Sequence, residues 1–152
     1  MFRKLLLAVA ISTMVLVLID CKNDNAPEPS LKDKQLQMLT GTWNNVQVVK
    51  DDIAQPGFEN FKVTISGTPG SDTFNYTCVG RPNMSPWPSS GTFTFGVEPI
   101  TELVRDQSTQ YMVNLSYTVK DSDLHFEFDY LGGFPARMND VPGHWTFDLA
   151  KN

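Results

Sequence analysis

The chain is poor in the side chains that carry most enzyme chemistry: its 152 residues include two cysteines and two histidines. Two cysteines cannot make the disulfide framework of a small stapled domain, so any fold must rest on its own core. His125 and His144 have no cysteine or paired carboxylate at ligand spacing, which excludes a zinc motif and leaves each as a surface or rim histidine. Asp121-Ser122-Asp123 lacks the further ligands, the glycine and the distal glutamate of a calcium loop, and reads as a hairpin turn. Cys78 continues the apolar side of Phe74 and Tyr76, as a buried structural thiol does. Gly-x-Ser-x-Gly, P-loop and dinucleotide fingerprints are absent. These absences predict a protein with no catalytic residues, no cofactor and no metal.

Positive charge is also scarce. Lys and Arg total 12 against 17 Asp and Glu, and the only basic run is Arg3-Lys4. That balance excludes nucleic acid as a partner, because phosphates need clustered cations. It also denies the domain any electrostatic pull toward anionic lipid.

What the chain does have begins at its first residues. After Met1-Phe2-Arg3-Lys4, the stretch Leu5 to Ile19 carries no charge, and Leu18-Ile19-Asp20-Cys21 closes it. A run this short falls below the ~20 residues of a membrane span and reads as a secretory signal over residues 1–20. A cysteine at its end suggests a bacterial lipoprotein, lipidated on Cys21 and held at the outer membrane or cell envelope, on either the periplasmic or the outer face. An ordinary signal peptide and an uncleaved anchor are the other readings. Residues 22–33 are polar and carry two prolines, so residues 21–38 read as lipidated cysteine plus tether, with a short helix over Lys32–Met38. The membrane, reached through that lipid, is the partner this segment implies.

From Leu39 the hydrophobic period is two. Phe61, Val63 and Ile65 alternate with polar neighbours, and Phe93, Phe95 and Val97 alternate with Thr92, Thr94 and Gly96. Tyr111 to Val119, Leu124 to Tyr130 and Trp145 to Leu149 repeat the pattern. Alternation of this kind gives each segment one apolar and one wet face, the mark of antiparallel sheets. It predicts an all-β domain over residues 39–152, with strands at 43–50, 58–66, 73–79, 91–97, 100–105, 110–120, 123–130 and 144–149. Eight short strands in one small domain predict an up-and-down barrel or a sandwich, and a barrel removes exposed edges.

Leu39-Thr40-Gly41-Thr42-Trp43 resembles the Gly-x-Trp opening of lipocalins. Further on stand Phe61-Lys62-Val63-Thr64-Ile65-Ser66, Trp87 to Phe93, Leu103-Val104-Arg105-Asp106, Leu124 to Phe128 and Gly143 to Leu149. In that order they resemble the lipocalin-like domains of small Gram-negative lipoproteins, a family without an assigned function. The resemblance implies a single lipocalin-like antiparallel barrel of about eight strands at the cell envelope, and no reaction. Lipocalins also pack a basic residue on the first-strand tryptophan near the chain end. Lys151, so close to the terminus, reads as a poor counterpart.

Candidate ligand contacts are Trp87, Arg105, Phe134 and Arg137. Trp87 lies in the proline-rich Arg81–Pro88 loop, either exposed as a rigid platform for an apolar or sugar ligand or folded in as a lid. Leu131–Met138, with Phe134 and Arg137, reads as a loop able to gate a barrel mouth. Arg105 and Arg137 either meet an acidic ligand group or stand in solvent. The interior of an eight-stranded barrel has room for side chains or for one small ligand. Two functions therefore remain: a barrel that binds a small apolar molecule, or a filled barrel acting as a structural or interaction module.

Overall fold

The structure, a computed structural model, describes residues 28–132 and 141–152. Its first element is helix α1 (Leu31–Leu39), where the sequence predicts Lys32–Met38. Ser30 caps it, its hydroxyl accepting from the Asp33 backbone N–H, which satisfies one of the orphan donors of the first turn. Leu36 and Leu39 are its buried residues.

Among the described residues nine strands follow: β1 (Gly41–Lys50), β2 (Ile53–Ala54), β3 (Lys62–Ser66), β4 (Thr73–Val79), β5 (Ser90–Phe95), β6 (Glu102–Arg105), β7 (Val113–Lys120), β8 (Asp123–Tyr130) and β9 (Gly143–Lys151). Apart from the two-residue β2, which only extends β1, they form an antiparallel meander that closes by pairing β1 with β9. The domain is thus a closed eight-stranded up-and-down barrel. The β1–β9 seam runs from Trp43↔Lys151 to Lys50↔Trp145 and shifts register between Asn45 and Gln47. A bulge of that kind bends a strand, which helps to turn a sheet into a barrel.

The alternation seen in sequence sets the faces. In β7 every odd residue from Val113 to Val119 is buried and every even one exposed; β4 buries Phe74, Tyr76 and Cys78 in the same manner. Two departures bear on the site. The 58–66 segment is strand only from Lys62, because a turn closed by Phe61 N–H to Phe58 C=O precedes it. Phe58 and Phe61 consequently enter the core from a loop, and both are buried. The strand ending at Arg105 starts at Glu102 rather than Ile100.

The two ends of the barrel are closed differently. At one end α1 packs beneath the barrel: Trp43 Nε1 donates to Leu39 O at 2.8 Å, and the Tyr117 hydroxyl reaches Gln35 Oε1 at 3.0 Å and Pro99 O. Lys151 belongs here, its ammonium 5.1 Å from the Trp43 ring centroid and 3.3 Å from Met38 O. The expectation that Lys151 is a poor counterpart of the lipocalin cation is therefore corrected. It stands directly across the seam from Trp43. At the other end, loops 55–61 and 80–90 fold inward.

Candidate functional site

The interior at the loop end is built around Trp87. Its ring is 1 % exposed and lies 5.5–6.2 Å, centroid to centroid, from Phe61, Tyr76, Phe93, Phe126, Phe128 and Phe147. Those rings come from four strands and a loop, so the indole sits where the barrel walls converge. Of the two readings the sequence allows, lid and core is the one observed, and the exposed platform is corrected. Three prolines at 82, 86 and 88 remove backbone donors and stiffen the chain that carries the indole inward.

Arg105 is the other unexpected occupant. It is 1 % exposed, with its guanidinium carbon 4.8 Å from the Trp87 ring centroid and 5.3 Å from that of Phe128. A solvated Arg105 is thus overturned. The cause is strand parity: Leu103 faces inward on β6, so the residue two further on must do so too. The charge is partly compensated. The two ring faces attract the cation, and Asp106 Oδ2 lies 3.7 Å from Nε, close enough for Coulomb attraction but too far for a hydrogen bond. Burial pulls the Arg105 pKa below its ordinary value, opposed by Tyr76 and Asp106.

Asp106 is committed elsewhere. Its carboxylate accepts from the Tyr76 hydroxyl at 2.8 Å and from the Thr92 backbone N–H at 2.9 Å. Gly91 makes this closeness possible, since a Cβ there would lie 2.0 Å from Asp106 Oδ1 and 2.5 Å from the Tyr76 oxygen. Burial raises the Tyr76 pKa and pushes the Cys78 thiol up to about 12, which keeps both groups neutral near physiological pH. Cys78 is accordingly a poor nucleophile.

What remains is a set of unmet donors. Arg105 Nε, Arg105 Nη1 and Trp87 Nε1 are all buried without a hydrogen-bond partner. Native interiors leave few such groups, and each asks for an acceptor. Trp43 and Trp145 make the contrast plain, because both indoles donate to backbone carbonyls, those of Leu39 and Val141.

Outside the barrel, both histidines join a cross-strand row with carboxylates. His125 Nδ1 is 2.7 Å from Asp148, and His144 Nδ1 is 2.9 Å from Asp129. Glu127 stands between them, 3.9 Å from His125 Nε2 and 3.3 Å from His144 Nε2. The Asp129 hydrogen bond raises the His144 pKa, aided by the charges of Asp129, Glu127 and Asp51. A groove of about 670 Å³ lies against this outer face, beside Val104, Asn114, Ser116, Glu127 and His144.

Cys21, Phe134 and Arg137 lie outside the described residues. Of the candidate ligand contacts, the structure brings Trp87 and Arg105 together. Phe128, Asp106 and Tyr76 belong to the same site; inward parity on β8 and β4 was the signal for Phe128 and Tyr76, and Asp106, in the turn after β6, had none. No helix among the described residues is long and apolar enough to cross a membrane. No family model matches the sequence, and no curated protein matches it.

Proposed function

We propose that this protein is a non-catalytic, envelope-held barrel that binds one small, largely apolar ligand through an acceptor group facing Arg105. The observation that carries this reading is the pair of unmet donors on Arg105 inside a largely apolar interior. A barrel that needed only a solid core gains nothing from it. A buried arginine loses hydration, and apolar residues of similar volume in its place are often neutral or stabilising. An arginine kept there with two unmet donors is suited to an acidic or carbonyl group. The lipocalin-like order of residues and the closed barrel support the same reading, as does the scarcity of nucleophile, base and metal ligands.

The filled-barrel alternative draws on the rings meeting around Trp87. Native mass spectrometry of the full chain, purified in detergent from its own host, separates the two. Binding predicts a co-purified small molecule that is lost in Arg105→Met. A bare wild-type mass, together with no uptake of added fatty or aromatic acids, leaves the interaction module. The anchor is tested separately. Cys21→Ser should shift the protein from the detergent phase to the soluble fraction, because stable anchoring takes at least two acyl chains. Unchanged partitioning would refute lipidation at Cys21.

A further inference from the structure

We infer that Trp87 is an internal stand-in for a ligand ring, and that the 80–90 segment withdraws to let an aromatic carboxylate take the slot. The inference rests on the proposed role of Arg105 and adds the ligand class and the way in.

The slot specifies a flat ring. It is bounded by the faces and edges of Tyr76, Phe93, Phe126, Phe128 and Phe147, with interplanar angles to Trp87 from 49° to 89°. Aromatic pairs favour such tilted and edge-on packing. The guanidinium at 4.8 Å completes the enclosure. A ring bearing a carboxylate would satisfy what the indole leaves unmet. Nε and Nη1 lie on different edges of the guanidinium, so a carboxylate oxygen would accept from one of these unmet donors in a charge-assisted bond, which a neutral ring cannot offer.

The segment is built to move as a unit. Arg81 Nη1 donates to Trp87 O at 2.5 Å and the Trp87 N–H to Ser85 Oγ at 3.2 Å, both within the segment. The Cys78 N–H to Ser89 O bond ties its two ends together at the barrel rim. The indole itself makes no hydrogen bond to the barrel wall, so withdrawal breaks none there. Gly80, at φ +65°, begins the segment in a left-handed conformation that glycine adopts without strain, and a Cβ would meet Asn60 O at 1.9 Å. Withdrawal exposes the indole, and an incoming ring re-buries comparable apolar area. The exchange is then decided by the new bonds to Arg105, while Trp87 Nε1 gains water.

The test uses the full chain in detergent with 2-naphthoate as probe, followed by calorimetry and tryptophan emission. Wild type should bind one probe, and the Trp87 component, isolated by subtracting Trp87→Phe, should shift to the red. Trp87→Ala should bind at least tenfold more tightly, because the competing indole is gone. Arg105→Met in that background should lose at least tenfold, and 2-naphthylmethanol should bind at least tenfold more weakly than the acid. If Trp87→Ala loses its strand spectrum, Trp87→Leu takes its place in the same comparison. Wild-type binding without a red shift, or equal affinity with and without the indole, overturns the stand-in and spares the ligand role of Arg105. No binding by either form overturns both.

Discussion

The two ends of this barrel each bury a tryptophan and each place a cation against it, yet they differ in whether the indole and the cation find acceptors. At the helix end, Trp43 donates to Leu39 O, and Lys151 covers the ring while reaching Met38 O. At the loop end, Trp87 Nε1 has no partner, and Arg105 lies on the ring with two donors unmet. The same pair of residue types therefore serves as a finished joint at one end and an open one at the other. The met indole belongs to the end that α1 closes, and the unmet donors belong to the end where we propose a ligand binds.

Removing a whole ring should test that division most strongly. Trp43→Ala is expected to cost about 3–5 kcal/mol in chemical denaturation, as large-to-small core changes do. Trp87→Ala should cost less, because its loop can relax outward. Equal costs would break the comparison. A finer probe removes the indole N–H and keeps a ring. Trp43→Phe abandons the Leu39 carbonyl whereas Trp87→Phe abandons nothing, so the first should be about 1–3 kcal/mol worse than the second. Lys151→Met should cost about 0.5–1 kcal/mol, the worth of an exposed cation on a ring, and the loss should persist in high salt better than that of a surface ion pair.

The smallest effect concerns neither end but the histidine row between β8 and β9. Folding raises the His144 pKa above its ordinary 6.5, so the protonated form is favoured in the native state. Its stabilisation is present in full below about pH 6.5 and fades as pH rises through the higher folded value. Wild type should therefore lose a little stability between about pH 6 and 8 that His144→Gln does not lose. Equal slopes for the two proteins would assign the pH dependence to other groups.

Much of this was legible in the sequence. Period-two alternation placed most of the barrel strands, since each of those has one wet face, and β2 was missed because two exposed residues carry no period. Parity also held the key to both misread cations. Counting by twos from Leu103 puts Arg105 inside, and counting from Trp145 through Phe147 and Leu149 puts Lys151 on the barrel's inner side at Trp43. The physical expectation that arginine seeks water outweighed parity in the first case. Ending the last strand at Leu149 hid the second. Trp87 was different in kind: it lies between prolines in an aperiodic loop, and whether such a loop turns in or out depends on the shape of the space it meets.

The seam between β1 and β9 has a geometric consequence. Asn152 N–H bonds to Thr42 O, and Lys151 touches the last turn of α1, so the chain leaves the barrel beside the place where it enters. Anything that grips the polypeptide ahead of Leu31 holds the molecule by this one pole, and a fusion appended after Asn152 would crowd the same pole. The Trp87 pole lies at the opposite end, clear of both.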